Sequence, residues 1–290
     1  MAFRTVIISS HSKLEYSLGY LVFKSNDDTK RILINEIHTL IINTTMCAIT
    51  SSLLSELIKN KVNVLFCDEK QNPESQLLPL NNSCSSFGKI KEQLNWNIDF
   101  CKVVWKEIIK EKIKGESINL YNNGFKTEAE KLNAYICEVE DGDITNREGH
   151  AAKIYFNKIF HEGFSRQNDD IINKYLNYGY SIILSLFNRT ISSLGYLTQI
   201  GIHHIGESNP FNLSCDLMEP FRVFVDIIAA TIKITDNFKE VMTSILEKTI
   251  KINGKMQTIN NAITIYVQSI FTSLINQDIS YLVFPDSYVF

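Results

Sequence analysis

The sequence pattern changes once along the chain, near Gly88, and this change restricts the folds that the chain can adopt. Before Gly88, short runs of β-branched and aliphatic residues alternate with Ser, Asn and Asp, which is typical of strands joined by turns. One helical pattern interrupts these runs at 51–59, where leucine side chains share a face. The predicted strands occupy 5–8, 14–23, 31–34, 39–42 and 62–66.

Long helical patterns fill the rest of the chain. The sequence therefore predicts an α+β protein with a small β-rich N-terminal domain at 1–80 and a larger all-α domain at 89–290. A linker rich in Asn and Ser separates them at 81–88. The length of 290 residues is about that of two ordinary domains. The predicted helices occupy 89–114, 126–139, 147–160, 169–194, 213–234 and 259–274.

The composition excludes several classes of protein. The six cysteines are scattered and form no Cys-x-x-Cys pair, which excludes a zinc ribbon and indicates a reduced, cytoplasmic setting. The N-terminus has only three strongly apolar residues in a row, Val6 to Ile8, so we expect no signal peptide. The longest uncharged run, 256–277, contains many Gln, Asn, Ser and Thr residues, which predicts an amphipathic helix and no membrane span.

The net charge of −3 argues against a generally basic nucleic-acid-binding protein, so any DNA contact must come from a local surface. The segment 89–114 has seven lysines against four acidic residues. A solvated helix face explains this bias, and a surface that follows DNA phosphates is the functional alternative. On that alternative, Lys102, Lys106 and Lys110 are candidate DNA-binding residues.

Glu148 is the first candidate for chemistry. Thr145 and Glu148 have the spacing of a capping box, in which Glu148 would reach back to the backbone N–H of Thr145. However, Glu148 also falls on the apolar stripe of Ala151, Ala152 and Tyr155. Burial of an inward-facing carboxylate is unfavourable unless a cation or a metal ion meets it. Both interpretations, a helix cap and a ligand, are open on these residues.

Two further segments carry candidate groups. His203 and His204 are neighbours, and because adjacent helical positions diverge, at most one of them is expected to bind a given ion. An ordinary histidine pair at a helix end is the alternative. Asp216, Glu219 and Arg222 share a helix face at spacings of three, which also fits a solvated face with a Glu219–Arg222 pair.

The proline at position 220 weakens the solvated-face interpretation, because proline removes a helical hydrogen bond and bends the chain beside two acids. Such a bend is typical of a shaped site. Together, Glu148, His204 and Glu219 supply two carboxylates and one imidazole. These donors suit Mg²⁺ or Mn²⁺ better than zinc.

Several segments resemble the CRISPR-associated integrases, the first-numbered CRISPR proteins, which insert new spacers into a CRISPR array. The N-terminal segment is most similar to the version found in type II systems. The resemblance spans nearly the whole chain and implies a β-sheet domain followed by an all-helical catalytic domain. The segments are 4–16, 146–152, the Gly-x-x-His that ends at His204, and 216–222.

This resemblance implies a divalent-metal-dependent DNA endonuclease and integrase that uses Mg²⁺ or Mn²⁺. Glu148, His204 and Glu219 are then the metal ligands and catalytic residues, with Asp216 as a secondary candidate. Arg222 joins the lysines of 89–114 as a candidate DNA contact. The implied reaction is attack by the 3′-hydroxyl of a protospacer on a phosphodiester of the array repeat.

The resemblance also implies partners. These are double-stranded DNA (protospacer and CRISPR repeat), a second copy of the chain, the small second-numbered CRISPR protein and, for substrate choice, the type II RNA-guided effector nuclease. Two alternatives are a structure-specific metal-dependent nuclease that acts on branched DNA in repair, and a non-catalytic DNA-binding scaffold. Metal-dependent cleavage that is lost in Glu148→Ala would separate the enzymes from the scaffold.

Overall fold

The structure is a computed structural model that describes residues 4–26, 28–79, 86–233 and 237–290. The chain divides into two compact units, Met1–Asn81 and Asn82–Phe290. The first is rich in strands and the second is mainly helical, so the α+β class expected from the sequence is confirmed. Residues 81–85 of the expected linker lie outside the described residues, and residues 86–88 already belong to a helix.

Two four-stranded sheets form the described part of the N-terminal unit. One has the order β1-β5-β7-β8, in which only the β7–β8 pair is antiparallel. The other has the order β4-β3-β2-β6, in which only the β2–β6 pair is parallel. The strands are β1 Arg4–Ile8, β2 Ser12–Ser17, β3 Tyr20–Lys24, β4 Thr29–Leu33, β5 Ile37–Ile42, β6 Cys47–Ile49, β7 Asn63–Cys67 and β8 Pro73–Gln76.

The expected strands of this unit need two corrections. The run 14–23 is not one strand but a hairpin, because Leu18 and Gly19 both adopt positive φ (48° and 85°) in a two-residue turn. Strands β6 and β8 were not expected, and β8 consists of a proline and three polar residues. Helix α1, Ser51–Lys59, was expected and begins after Thr50, whose side chain accepts a hydrogen bond from the Leu53 N–H.

The second unit contains the remaining helices. Helix α3 packs against α4, α5, α8 and α10 and places Trp105 and Ile109 in the core. None of the helices in the described ranges has the length and apolar character needed to cross a membrane. The helices are α2 Ser86–Leu94, α3 Ile98–Asn122, α4 Lys126–Glu138, α5 Arg147–Ile159, α6 Ile171–Ser193, α7 Asn212–Met218, α8 Arg222–Ala229, α9 Phe238–Thr243 and α10 Ile259–Asn276.

Three expectations for this unit were wrong. The helix expected at 89–114 is divided between α2 and α3, because the Asn97 side chain caps a new helix by accepting from the N–H groups of Asp99 and Phe100. The helix expected at 213–234 is interrupted by a 3-10 turn, Glu219–Phe221, at the proline. The unit is not all-α, since β9 Thr249–Ile252 and β10 Lys255–Thr258 form an antiparallel hairpin.

Candidate metal centre

Glu148 lies in the first turn of α5, and its side chain is not used as a cap. The cap is Asn146, which has φ 53° and whose side chain accepts from the Gly149 N–H. The Asp143 carboxylate accepts from the backbone N–H of Arg147 at 2.9 Å and of Glu148 at 3.0 Å. The capping-box interpretation is therefore wrong. Asn146 and Asp143 satisfy the free N–H groups of this helix start and leave the Glu148 carboxylate for another partner.

Glu219 begins the 3-10 turn between α7 and α8, and its side chain is only 5% exposed. Arg222 donates from Nε to Glu219 Oε1 at 2.8 Å. The expected pair between these residues exists, but the solvated face does not, because Glu219 and Asp216 are both buried. Burial opposes ionisation of Glu219, yet Arg222 and Lys112 overcome it and lower its pKa to about 2.

Lys112 of α3 brings Glu148 and Glu219 together. Its Nζ lies 2.5 Å from Glu148 Oε1 and 2.6 Å from Glu219 Oε2. Burial opposes its charge, but Glu148, Glu219 and Glu116 raise the pKa of Lys112 above its ordinary value, so the ammonium is charged. Two of the three expected site residues therefore meet at one buried cation.

His204 lies on a loop that Asp216 holds in place. The Asp216 carboxylate accepts from the backbone N–H groups of Ile202, His203 and His204 at 2.7, 3.0 and 3.1 Å, and from Nδ1 of His204. The bond to Asp216 raises the pKa of the His204 imidazole. Both Asp216 oxygens are thus engaged with the loop, which favours an orienting role for Asp216 over a ligand role.

The loop can approach Asp216 this closely only because residue 201 is glycine. A Cβ on Gly201 would lie 2.5 Å from the His204 carbonyl oxygen and 2.6 Å from Asp216 Oδ2, which any other residue would turn into a clash. The two histidine rings lie at 88° to each other. The His203 ring stacks on Trp105 of α3, with ring centroids 4.2 Å apart, whereas His204 is held through Nδ1 and has Nε2 as its second ring nitrogen.

A cavity of about 250 Å³ opens beside the two carboxylates. Arg166 and Arg222 both lie over the Tyr180 ring, at 5.2 and 4.8 Å from its centroid, and add two positive charges to the cavity wall. Glu116 is 3% exposed, and its Oε2 has no hydrogen-bond partner among the residues that the structure describes. The cavity is lined by Lys112, Glu116, Glu148, Ala152, Phe156, Arg166, Tyr180, Glu219, Arg222 and Asp226.

Burial is the main cause of two further pKa shifts in this cavity. It raises the pKa of Glu116 to about 8 and that of Asp226 to about 6. Lys112 opposes the shift of Glu116, and hydrogen bonds from Tyr180 and Tyr155 oppose that of Asp226. The Tyr180 hydroxyl donates to Asp226 at 2.5 Å. Burial therefore favours the protonated form of Glu116 more strongly than that of Asp226.

The donors suit a hard divalent ion, but their present arrangement serves an ammonium. Glu148 and Glu219 offer carboxylate oxygens, and His204 has the carboxylate support that orients ligating histidines. Among the described residues, however, no group of three or more His, Cys, Asp or Glu side chains is arranged to hold a metal ion. The carboxylates already face one shared positive charge. An ion that bound both of them would have to replace the Lys112 ammonium.

The lysines proposed as DNA contacts are each paired with a carboxylate. Lys102 bonds Asp99 at 2.9 Å, Lys106 bonds Asp141 at 3.1 Å and Lys110 bonds Glu107 at 2.8 Å. Surface pairs of this kind contribute little to stability and exchange readily, so they are compatible with phosphate binding. DNA contact by these lysines and by Arg222 stays a prediction.

Three residues around the site were not predicted from the sequence: Lys112, Trp105 and Glu116. Trp105 and Lys112 lie within the lysine-rich segment 89–114, for which a solvated helix face was one of two interpretations, and Glu116 follows that segment by two residues. A signal was present, because Trp105, Ile108 and Lys112 recur at helical spacing and share the buried side of α3. A charged residue on an apolar stripe is the pattern that marks a buried ion pair.

Comparison with known proteins gives a family match over most of the chain. Residues 5–253 match the family described as CRISPR associated protein Cas1. A CRISPR-associated endonuclease Cas1 of Neisseria meningitidis serogroup C is 32% identical over 227 residues, which cover 78% of this chain and 75% of that protein.

Two solved structures share the fold. One is a casposase bound to integration product, with a TM-score of 0.73 and 18% identity over 95% of this chain and 91% of that chain. The other is a chain of a Cas6-RT-Cas1–Cas2 complex, with a TM-score of 0.75 and 16% identity. The match covers 96% of this chain but 36% of that longer chain. At these sequence identities, the similarity to the two structures concerns the fold alone.

Proposed function

The chain belongs to the CRISPR-associated Cas1 family, and we propose that it is a divalent-metal-dependent DNA integrase of spacer acquisition. The substrate would be protospacer DNA, which it would insert into a CRISPR array by strand transfer. The observation that carries this proposal is the meeting of Glu148 and Glu219, from two separate helical segments, at one buried positive charge. A site for a cation beside a cavity with two guanidinium groups suits chemistry on a phosphodiester.

Glu148, His204 and Glu219 are the proposed ligands of Mg²⁺ or Mn²⁺. A divalent ion at this position supplies polarisation of a phosphoryl oxygen and stabilisation of the leaving alkoxide. Asp216 fixes the orientation of the His204 ring by bonding Nδ1. The ring cannot rotate freely, and Nε2 stays available as the ligand atom. Arg222 fixes the Glu219 carboxylate in the same way through its Nε.

The cavity walls provide the remaining functions. Arg166 and Arg222 lie where an anionic DNA backbone would be attracted, and Phe156 and Ala152 give the cavity an apolar side that excludes water. Selection of a 3′-hydroxyl over water as the nucleophile would come from positioning. A well-placed nucleophile gains roughly 7–11 kcal/mol at best in effective concentration.

The structural relatives support the strand-transfer reaction and the partner. The casposase relative was captured with an integration product, and another relative is part of a complex that includes Cas2. We therefore include Cas2 among the partners of this chain, in a larger complex that binds double-stranded protospacer and repeat DNA. The further proposals are a homodimer and, for a type II system, help from the RNA-guided effector nuclease in the choice of protospacers.

The test of this function compares two protospacer ends. Protein, Cas2 and Mn²⁺ are incubated with a repeat-bearing plasmid and a protospacer that ends in a 3′-hydroxyl or in a 3′-deoxy group. We expect products covalently joined to the plasmid with the hydroxyl only, since it is the nucleophile. Equal nicking with both ends and no joined product would make the protein a nuclease and refute the integrase proposal.

A further inference from the structure

Lys112 is a buried cation in the middle of a helix. The residue is 9% exposed, and its neighbours Ile109 and Ile113 are fully buried. Lysine is rarely buried to this degree without partners, because an ammonium loses its hydration. Its two partners come from α5 and from the 3-10 turn before α8, so one side chain of α3 joins three separate parts of the fold.

We propose that Lys112 is an internal counter-cation, which holds the Glu148 and Glu219 carboxylates together in the metal-free protein and exchanges with the divalent ion when it binds. This inference rests on the proposed function, since it takes these two carboxylates as metal ligands. Without Lys112, two negative charges would face each other, and among the described residues Arg222 would be the remaining ion-pair partner, beside Glu219. The ammonium thus keeps the carboxylates in place before an ion arrives.

Competition between the two cations follows from the distances. One nitrogen lies within 2.6 Å of both carboxylates, so it occupies the space between them. A Mg²⁺ ion binds carboxylate oxygens at about 2.0–2.1 Å and requires that same space. The ammonium and the ion cannot both sit there, and the free energy of displacing Lys112 therefore lowers the affinity for the ion.

The displaced ammonium has an acceptor one helical turn away. Glu116 follows Lys112 by four residues on α3, which places the two side chains on the same face. Its Oε2 is buried, has no hydrogen-bond partner within the described ranges and belongs to a side chain that lines the same cavity as Lys112. A swing of the lysine side chain from Glu148 and Glu219 toward Glu116 would satisfy this oxygen and clear the space for an ion.

The first experiment measures Mn²⁺ binding by the full chain without DNA. The variants are Lys112→Met, which keeps the apolar stem, Lys112→Gln in case the first folds poorly, and Lys114→Met as control, since Lys114 pairs with Glu111 on the same helix. Free Mn²⁺ is followed by electron paramagnetic resonance, and thermal unfolding is recorded in chelator. For both Lys112 variants we expect a lower Tm in chelator than wild type and about tenfold tighter Mn²⁺ binding than wild type. The Lys114→Met control should match wild type in both measurements. Unchanged or weaker binding in both Lys112 variants would overturn the proposal.

The second experiment tests the acceptor. Glu116→Met, which removes both acceptor oxygens, should weaken Mn²⁺ binding when Lys112 is present and have no effect in a Lys112→Met background, because only the lysine needs the acceptor. An equal effect in both backgrounds would refute the exchange.

Glu219→Gln, titrated in parallel, distinguishes a wrong metal site from a wrong role for Lys112. Wild-type Mn²⁺ affinity in Glu219→Gln would show that the ion binds elsewhere and would refute the proposed metal site together with this inference. Lost binding in Glu219→Gln, combined with unchanged affinity in the Lys112 variants, would refute the counter-cation alone.

Discussion

The side chain of Gln93 and the backbone of Leu197 exchange two hydrogen bonds, each 2.9 Å long. The same side-chain amide also donates to the Ile200 carbonyl at 2.9 Å. Gln93 is 2% exposed and belongs to α2, whereas Leu197 and Ile200 lead directly into the loop that carries His204. The buried amide of Gln93 therefore holds the chain segment 197–200, which leads into the candidate metal centre.

Gln93→Met should loosen the segment 197–200, because the variant removes the side-chain partner of three backbone groups in that segment. We expect a loss of roughly 1–3 kcal/mol in the free energy of unfolding. We also expect weaker Mn²⁺ binding than this loss of stability explains, because His204 would no longer be held in place. Chemical denaturation and Mn²⁺ titration measure the two effects. Gln268→Met, at an exposed position of α10, is the control, and equal behaviour of the two variants would contradict the role of Gln93.

Glu148→Gln, Glu219→Gln and His204→Ala should each abolish joining of a protospacer to a target, because each removes a proposed ligand. We expect a decrease of at least about a hundredfold, with the fold and the oligomeric state retained. A gel assay for joined product gives the rates, and circular dichroism checks the fold. His203→Ala removes the stack on Trp105 but no proposed ligand, so it should lower joining far less than His204→Ala does. If His203→Ala lost joining while His204→Ala kept it, the ligand would move by one residue.

Glu116 should make stability depend on pH. Burial raises its folded-state pKa from 4.5 to about 8, so the folded protein keeps a proton that the unfolded chain loses above pH 4.5. This stabilising contribution is fully present below pH 4.5 and is lost as the pH rises to about 8, by roughly 1.4 kcal/mol per pH unit. Glu116→Gln has no proton to lose, so its Tm relative to wild type should increase over this window and then level off.

Thermal unfolding in chelator between pH 5 and 9 measures this difference. Glu130→Gln, at an exposed position of α4, is the control for the loss of a surface carboxylate. A flat profile for Glu116→Gln would mean that Glu116 has an ordinary pKa in the folded protein.

Replacement of Lys102, Lys106 and Lys110 by glutamine should weaken DNA binding and reduce its dependence on salt. Each phosphate contact that is lost lowers the slope of log affinity against log salt by roughly 0.9. Glutamine is preferable to glutamate here, because each lysine faces a carboxylate that would repel a new negative charge. Fluorescence anisotropy at several salt concentrations measures affinity and slope. A matched triple variant at Lys248, Lys251 and Lys255 is the control, and an unchanged slope would leave the α3 lysines as a solvated face.

The N-terminal unit should mediate dimerisation. Its sheets end in edge strands, including β1 and β8, and edges of this kind are usually paired or covered. We expect the full chain to sediment as a dimer and a fragment of residues 82–290 to sediment as a monomer. The fragment starts before α2, so the contacts of Gln93 are kept. A stable dimer of the fragment would place the interface in the helical unit instead.

The sequence predicted the class of the fold because hydrophobic periodicity is a local signal. The strands at 5–8 and 39–42 and helix α1 follow from it directly. The hairpin at Leu18-Gly19 was not predicted, because leucine rarely adopts a positive φ and so gives no turn signal. Strand β8 was not predicted, because its sequence, Pro73–Gln76, is polar. Periodicity also predicts a helix through Glu219, where the proline requires a 3-10 turn.

The site was less predictable, because its contacts join residues far apart in sequence. Lys112 is 36 residues from Glu148 and 107 from Glu219, and no local pattern specifies such pairs. The start of α5 shows that a local pattern can also mislead. Thr145 and Glu148 have the spacing of a capping box, but Asn146 in a left-handed conformation takes that role, and the choice depends on Asp143 folding back onto the helix start.

Trp105 and Lys112 lie on one uninterrupted helix, and this restricts where homologous chains can differ in length. Trp105 supports the histidine loop and Lys112 meets the carboxylates, seven residues later on the same side of α3. A single inserted or deleted residue between them would rotate one about 100° away from the other. We therefore expect insertions and deletions to accumulate in the surface loops of the lineage, while the 105–112 segment keeps a constant length even where its side chains are replaced.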